Sequence, residues 1–216
     1  MDLDHPTHLA PRKQPRQARA TTTVDIIFEA TLQVLMAEGL QRLTTTRVAQ
    51  RAGVSVGTLY QYFPHKQALL YALNARYLDI VAERVETVCE SHHGAPLARM
   101  VEALVTAYWT AKTERSDVTR ALYRASVELD NESLIEAFGR RVDAASAAML
   151  ATTPDADFAD LRVVNAMFLT AIFGTVRTVF ERNMPTSVGS DLHRELIAMC
   201  LSYLDAARAR ANPSDA

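Results

Sequence analysis

Residues 43–70 of the chain read LTTTRVAQRAGVSVGTLYQYFPHKQALL. The stretch holds two short amphipathic helical patterns, and we expect helices over about 45–51 and 56–62. Gly53 lies between them and supplies the left-handed backbone that a residue without a Cβ adopts cheaply. Ser55 can cap the second helix by accepting a hydrogen bond from a backbone N–H group. The stretch therefore predicts a helix-turn-helix.

The outer face of the second predicted helix suits a nucleic-acid groove. Leu59 and Phe63 face inward, whereas the outward positions are small or polar. No acidic residue occurs between Arg42 and Lys66. A helix in the major groove needs donors, acceptors and small contact points, without carboxylates that would repel phosphate. This pattern favours DNA binding.

The run from Gly53 to Lys66 resembles the motif G-V-S-x-G-T-L-Y-x-Y-F-x-x-K of the TetR family of one-component transcriptional regulators. The strong resemblance covers roughly residues 22–73, and the remainder is similar only in length and helical character. Two positions differ: Gln67 stands where members often carry an acid, and His65 where a small polar cap is usual. The resemblance implies an all-α fold, in which an N-terminal three-helix DNA-binding unit is joined by a long helix to a C-terminal ligand-binding and dimerisation domain.

The resemblance also implies which residues contact double-stranded DNA. The expected phosphate contacts are Thr45, Tyr60, Tyr62 and Lys66, and the positions facing bases or the groove wall are Thr46, Arg47, Val56, Gly57, Thr58 and Gln61, with Ser55 beside them. Gln61 could pair with adenine, and Arg47 could reach guanine or a phosphate. A single helix-turn-helix contacts too little DNA for high specificity, so a homodimer on an inverted repeat is expected.

The basic charge is concentrated near the N-terminus. Residues 11–66 carry eight Lys or Arg against three Asp or Glu, whereas residues 67–216 carry 15 against 20. One end of the protein is therefore suited to a polyanion. Residues 1–20 contain three prolines and no hydrophobic period, which predicts a flexible arm. Its Arg12, Arg16 and Arg19 could order on DNA, and the alternative is a solvated tail.

The remaining chain has only helical patterns. Thr22-x-x-Asp25 resembles a capping box for a first helix that ends at Gly39, and a long helix is expected from Pro64 to about Ser91. Five further helices are expected over about 96–113, 117–129, 131–151, 159–182 and 190–209. The predicted domains are the arm 1–20, a DNA-binding domain 21–66, a ligand-binding and dimerisation domain 67–211, and a tail 212–216.

Residues 163–180 are apolar almost all round the expected helix. Such a helix must be buried on two sides, which favours a four-helix dimer interface made with the last helix. The expected interface residues are Val164, Phe168, Ile172, Val176, Leu196, Cys200 and Leu204. The alternative is the central core helix of a monomer.

A ligand pocket in the C-terminal helices is implied by the resemblance. The candidate lining residues are Tyr108, Trp109, Tyr123, Phe138, Met149, Met167 and Phe168, a set suited to a small apolar or aromatic effector. The alternative is that these residues are plain core. Arg120 and Arg124 could pair with an anionic ligand, or with Glu128 and solvent. Ligand binding would move the long helix and increase the distance between the DNA-binding units of the two subunits, which would relieve repression.

The sequence shows no enzyme signature. It has no HExxH, Cys-x-x-Cys, phosphate-binding glycine loop or nucleophile elbow, so we expect neither catalysis, metal nor cofactor. An architectural DNA-binding protein without a ligand response is the remaining alternative.

Cys89 and Cys200 are expected to be free buried thiols rather than a disulfide or redox switch. The longest uncharged run, 163–176, is shorter than the ~18 residues of a membrane span, which favours a soluble cytoplasmic protein.

Overall fold

The computed structural model describes residues 18–126 and 129–211. Within these residues all regular secondary structure is helical, and there are no strands. The helices are α1 (Ala18–Glu38), α2 (Thr45–Ala52), α3 (Val56–Tyr62), α4 (Lys66–Ser91), α5 (Leu97–Thr113), α6 (Ser116–Ser126), α7 (Glu132–Leu150), α8 (Leu161–Glu181) and α9 (Thr186–Ala211). A short 3-10 turn, Leu40–Arg42, follows α1. The predicted all-α fold is confirmed.

Two helices begin about four residues earlier than predicted. Residues Ala18 and Ala20 already lie in α1, because alanine is the strongest helix former and extends the pattern. Thr22 is therefore inside the helix, and the predicted capping box does not form its start. Helix α9 begins directly after Pro185, whose carbonyl accepts a hydrogen bond from the Gly189 N–H at 3.0 Å.

The chain divides into two compact units, residues 1–78 with 117–136, and residues 79–116 with 137–216. The first unit thus contains α1 to α3, the beginning of α4, and α6. This differs from the predicted boundary at residue 66. The physical reason is a shared core, since the first turns of α4 and one face of α6 bury their apolar side chains with those of the DNA-binding helices.

The core of the first unit joins all of its helices. Ile27, Val48 and Leu59 are fully buried, and the rings of Phe28 and Phe63 lie 5.6 Å apart between centroids. A hydrogen bond of 2.5 Å joins the hydroxyls of Tyr77 in α4 and Thr119 in α6. Burial raises the pKa of Tyr77 well above its usual value. The tyrosine therefore remains a neutral anchor between α4 and α6.

The second unit is built around α5, which packs against α8 and α9, while α8 packs against α9. A buried polar group fixes α7 against α8: Ser146 donates to the side-chain oxygen of Asn165 at 2.6 Å, and the Asn165 amide donates to Asp143 at 2.9 Å. Both Ser146 and Asn165 are fully buried. Since an unpaired buried polar group is costly, these bonds select one register for the two helices.

The end of α4 is held to α7 by an ion-pair network within the second unit. The Arg141 guanidinium donates to both carboxylate oxygens of Glu86 at 2.7 Å and to Asp79 at 2.9 Å. Its hydrogen bonds lower the pKa of Glu86. The bidentate geometry fixes direction as well as distance between the two helices.

Two helices, Ala20–Glu38 and Leu161–Glu181, are long and apolar enough to cross a membrane by length and composition. The expectation that the chain has no membrane span was based only on stretches without any charged residue, and both helices contain charged residues. Core helices of globular proteins pass the same test. Here α1 contributes the buried Ile27 and Val34, and α8 contributes the buried Phe168 and Ile172, so core packing accounts for their apolar character.

The buried polar group predicts a specific loss of stability. Asn165→Ala leaves the Ser146 hydroxyl without its acceptor inside the second unit, so the free energy of unfolding should fall by about 1–3 kcal/mol. Urea denaturation followed by circular dichroism measures this change. Thr170→Ala, at an exposed position of the same helix, is the control. An equal effect of both substitutions would show that the network does not contribute to stability.

Candidate nucleic-acid interface and effector region

The turn between α2 and α3 has the geometry that the sequence predicts. Gly53 adopts φ 68° and ψ 26°, and the N–H of Val54 donates to the carbonyl of Ala49 at 3.0 Å. A residue with a Cβ is strained in this left-handed region. Val48, Ala49 and Leu59 are fully buried. The turn and the inward faces of both helices are thereby fixed together.

Each helix of the motif has a side-chain cap. The Thr44 side chain accepts from the Arg47 N–H at 3.3 Å, and the Ser55 hydroxyl accepts from the Thr58 N–H at 2.9 Å. His65, noted as an unusual residue at the start of α4, accepts from the Ala68 N–H through Nδ1 at 3.1 Å. Histidine thus performs the capping role that a small polar residue performs in similar sequences.

The predicted DNA contacts on α2 and α3 are mostly accessible. Thr46, Gly57 and Gln61 are exposed, and the side chains of Thr45, Val56, Thr58 and Lys66 are partly exposed. Tyr60 is 41% exposed, and its hydroxyl lies 3.1 Å from the Thr45 hydroxyl. The structure therefore brings together Thr45 and Tyr60, two residues that are 15 positions apart in the sequence.

Three predicted contacts have other roles in this structure. Tyr62 is only 9% exposed and packs within the core of the first unit, so most of its side chain stabilises the fold. Arg47 donates to Glu38 at 2.6 Å and to the carbonyl of Arg42 at 2.9 Å. A phosphate would have to replace the Glu38 carboxylate to bind Arg47. Ser55 is exposed but is engaged as the α3 cap.

Residues Arg12 and Arg16 lie outside the described part of the chain, as does the side chain of Arg19. The flexible arm predicted for residues 1–20 is wrong for residues 18–20, which lie in α1, and the DNA contacts of the arm stay predictions. Two further exposed cations were not named individually in the sequence analysis: Arg42 precedes α2 and Arg51 lies in its last turn. The signal that could have identified them is the excess of basic residues in this quarter of the chain.

An aromatic cluster in the second unit contains two of the predicted ligand residues, Tyr108 and Phe138. With Phe173 of α8 they form three mutual ring contacts, at centroid distances of 4.8, 5.8 and 6.3 Å. Trp109 contacts His193 at 5.2 Å, and His193 Nε2 lies 3.2 Å from the Thr106 hydroxyl. Burial lowers the pKa of His193.

The remaining ligand candidates do not join this cluster through any described ring contact. Met149 and Phe168 are fully buried in the core, and Tyr123 belongs to the first unit. Met167 is 52% exposed, so its assignment to an internal pocket is corrected: it faces away from the interior of its own chain. For Arg120, the Nε atom is buried without a hydrogen bond among the described residues, and Glu128 lies outside them.

The predicted dimer residues also lie on another face than expected. Val164, Phe168, Ile172, Val176, Leu196, Cys200 and Leu204 are each between 0% and 8% exposed within a single chain. They therefore have almost no surface left to bury against a partner. The apolar pattern identified the correct helices but could not distinguish the face toward the chain's own core from the face toward solvent.

Lys112 is a feature of the aromatic cluster that the sequence interpretation missed. Its side chain is 2% exposed, and Nζ lies 5.6 Å from the ring centroid of Tyr108 and 5.9 Å from that of Phe138. Burial lowers the pKa of Lys112 to about 7. The available signal was its spacing, because a lysine four residues after Tyr108 falls on the buried face of α5.

A separate groove of about 420 Å³ lies in the second unit between the end of α4 and α7. Its lining includes three glutamates, Glu83, Glu86 and Glu90, together with Cys89 and His93. Burial raises the pKa of the Cys89 thiol to about 12, so it is not an activated nucleophile. Within the described ranges no group of three or more His, Cys, Asp or Glu side chains could hold a metal ion.

Lys112 predicts a pH-dependent stability difference. Its folded-state pKa of about 7 lies below the usual 10.5, so the unfolded chain binds this proton more readily. The resulting penalty is complete below about pH 7, decreases as the pH rises through this interval, and disappears above the unfolded value. Lys112→Met should therefore be the more stable protein at neutral pH, by on the order of 2–4 kcal/mol.

Urea denaturation of both proteins at several pH values checks this expectation, because other groups titrate equally in the two proteins. The stability advantage of Lys112→Met should shrink steadily toward pH 10.5. A difference that is independent of pH would contradict the burial of an ionisable ammonium at this position.

Comparisons with known proteins agree with this architecture. Residues 27–73 match the family model of bacterial regulatory proteins of the tetR family, and residues 96–204 match the tetracyclin repressor-like C-terminal domain. The HTH-type transcriptional repressor KstR of Rhodococcus jostii is 33% identical over 172 residues, which cover 77% of each chain. The nucleoid occlusion factor SlmA of Haemophilus ducreyi is 30% identical over 109 residues, covering 50% of this chain and 53% of that protein.

Solved structures show the same fold at low identity. A TetR-family regulator from Mesorhizobium loti superposes with a TM-score of 0.71 at 15% identity, covering 88% of this chain and 98% of its own. The fatty acid degradation regulator FadR from Bacillus halodurans gives 0.60 at 16% identity, covering 86% and 96%. The matched relatives are regulators and not enzymes. The chain belongs to the TetR family of DNA-binding transcriptional regulators.

Proposed function

We propose that the protein is a homodimeric repressor that binds an inverted-repeat operator and releases it when a small effector binds. The observation that carries the DNA-binding part is the capped α2–α3 motif, with its polar, carboxylate-free face directed to solvent. The similarity to KstR, a transcriptional repressor, supports the sign of regulation. A regulator of this kind acts where the chromosome is, so we propose a cytoplasmic location.

Phosphate contacts would fix the register of α3 in the groove. The hydroxyls of Thr45 and Tyr60 lie 3.1 Å apart, so both could donate to the same phosphate group of the DNA. Gln61 would then present its amide to a base edge, and Thr58 and Val56 would contact methyl groups. Gly57 would allow close approach of the helix to the groove wall.

A second copy of the chain would cover the outer faces of α8 and α9. These faces carry large exposed apolar side chains, Val163, Met167, Val188 and Met199, each between 43% and 52% exposed. The residues recur at helical spacing, one stripe on each helix, opposite the buried faces. Apolar stripes on two neighbouring helices are suited to a four-helix interface. The family is typically dimeric, and this surface replaces the buried residues first expected there.

Helix α4 would carry the effector signal. It contributes to both units, and it is tied by Tyr77 to Thr119 in the first unit and by Glu86 to Arg141 in the second. A shift of α7 would move Arg141 and therefore α4. A coupling free energy of only ~1–3 kcal/mol would change operator affinity about 5–150-fold.

A second candidate function is a DNA-bound factor that senses no small molecule. The similarity to SlmA, a nucleoid occlusion factor, favours this second function, and the match covers 50% of this chain. The two functions differ in one observable property, since only the ligand-responsive repressor loses affinity for its operator when a small molecule is added.

Fluorescence anisotropy on the DNA upstream of the gene, with excess nonspecific competitor, tests operator binding. We expect competitor-resistant binding of two subunits. Tyr60→Phe, which removes only the exposed hydroxyl, should weaken binding about fivefold, as expected for the loss of one hydrogen bond. Tyr203→Phe on α9 is the matched control. Binding that competitor removes and that ignores Tyr60 would contradict an operator at this site.

Gly57→Ala separates DNA contact from folding. An added Cβ would meet only the Ser55 hydroxyl at 3.7 Å, so the helix should gain up to about 1 kcal/mol of stability. Operator affinity should nevertheless fall, because the methyl group would occupy space needed by the groove wall. Gly139→Ala in α7, which also meets nothing within 4 Å, is the control and should leave affinity unchanged. Unchanged affinity of Gly57→Ala would remove this residue from the interface.

The proposed dimer surface predicts a charge-sensitive assembly. Met167→Glu combined with Met199→Glu should yield monomers, because both carboxylates would be buried against a partner. Sedimentation velocity measures the change in mass. Ile135→Glu alters another exposed apolar position, 55% exposed on α7, and should leave the dimer intact. A stable dimer of the double variant would place the interface elsewhere.

A further inference from the structure

An ion pair between the end of α1 and the first turn of α2 holds Arg47, one of the residues expected at DNA. The Nη1 atom of Arg47 donates to the Glu38 carboxylate at 2.6 Å and to the carbonyl of Arg42 at 2.9 Å. The Arg47 side chain is 46% exposed and that of Glu38 is 32% exposed, so the pair lies at the surface of the first unit. In the free protein the guanidinium is therefore already bound to an anion.

Neither charge suits its position in its own helix. Glu38 is the last residue of α1, where the negative end of the helix dipole disfavours a carboxylate. Arg47 is the third residue of α2, where the positive end of the dipole disfavours a cation. An ion pair exposed to solvent contributes little to the stability of a protein. Stability alone therefore does not explain these two residue types at these two helix ends.

The ion pair belongs to the same helix end as the proposed phosphate contact. Arg47 shares the first turn of α2 with Thr45, whose hydroxyl lies 3.1 Å from that of Tyr60. An arginine in this turn, on its flexible stem, could reach a backbone phosphate, which binds a guanidinium as a carboxylate does. Such contacts supply the sequence-independent part of the affinity for DNA. Glu38 and the DNA would therefore compete for one cation.

We propose that Glu38 withholds Arg47 from the DNA backbone and thereby lowers the affinity of the protein for DNA of any sequence. This inference rests on the proposed function and concerns the same surface. With one cation fewer on the phosphates, a larger share of the binding free energy has to come from contacts with bases. Glu38 acts through Arg47, so it is a positioning residue and not itself a DNA contact.

Glu38→Gln removes the charge and keeps the shape of the side chain. Fluorescence anisotropy would be measured on a short random-sequence duplex and on the upstream DNA, at salt concentrations from about 50 to 200 mM. We expect Glu38→Gln to bind the random duplex about two- to fivefold more tightly per subunit at the lowest salt concentration. The slope of log affinity against log salt should steepen by about one per bound subunit, because one more phosphate is neutralised.

Glu29→Gln is the matched control, because it removes an exposed carboxylate from the same helix. It should leave the salt slope unchanged and should tighten binding less than Glu38→Gln does. In an Arg47→Met background, Glu38→Gln should lose its advantage over Glu29→Gln, since the cation that Glu38 withholds is then absent. Glu38→Ala serves as a second variant if Glu38→Gln does not yield folded protein.

The inference is overturned if Glu38→Gln weakens binding, or if it leaves the affinity or the salt slope unchanged. It is also overturned if the whole gain persists in the Arg47→Met background.

The two DNA probes distinguish this inference from the proposed function. Competitor-resistant binding to the upstream DNA with no effect of Glu38→Gln would overturn the inference alone. Upstream DNA bound no more tightly than the random duplex would contradict an operator there, while a steeper salt slope of Glu38→Gln on the random duplex would leave the role of Glu38 standing. Failure to bind either duplex would overturn both.

Discussion

The left-handed backbone at Gly53 determines the direction in which α3 leaves α2, and the DNA-binding surface depends on that direction. With φ at 68°, a residue carrying a Cβ would cost about 1–2 kcal/mol. The fully buried Val48 and Leu59 on either side of the turn then hold the two helices in one relative orientation. Because the inner faces are fixed in this way, Gly57 and Gln61 remain outside. Recognition of DNA is thus a consequence of how the motif packs.

The second constraint is that α4 belongs to two cores. Its first turns are buried with the DNA-binding helices, and its last turns are held by Arg141 of α7. Helix α4 is one continuous helix of 26 residues, Lys66–Ser91, that contributes residues to each unit. The first unit also includes α6, so the DNA-binding helices are not an independent module. The proposed effector response would therefore act through helices that also belong to the DNA-binding unit.

The sequence predicted the parts of the structure in which local chemistry and packing agree. Gly53, the Ser55 cap and the interior of the helices follow from residue type and period, and the TetR resemblance is confirmed by the family comparisons. The start of α1 was wrong because Thr22 matched a capping motif while the preceding alanines extend the helix. A local motif cannot exclude a longer helix.

Other features require three-dimensional information. Helix α8 is apolar all round, so its period cannot show which face meets its own core. Phe168, expected at the dimer interface, is buried in the core, whereas Met167, expected to line an internal pocket, is exposed. Arg47 was expected at DNA, but its partner Glu38 is nine residues away and comes close only through the fold. Lys112 was not singled out from the sequence, because its closeness to the rings of Tyr108 and Phe138 is visible only in the fold.

Hydroxyl-radical footprinting on the upstream DNA would show whether two copies of α3 read one inverted repeat. We expect two protected patches on one side of the duplex, about 34–36 Å apart between centres. Inserting about five base pairs, half a helical turn, between the half-sites should abolish high-affinity binding. A single protected patch, or protection that spreads without regard to sequence and tolerates the insertion, would contradict it.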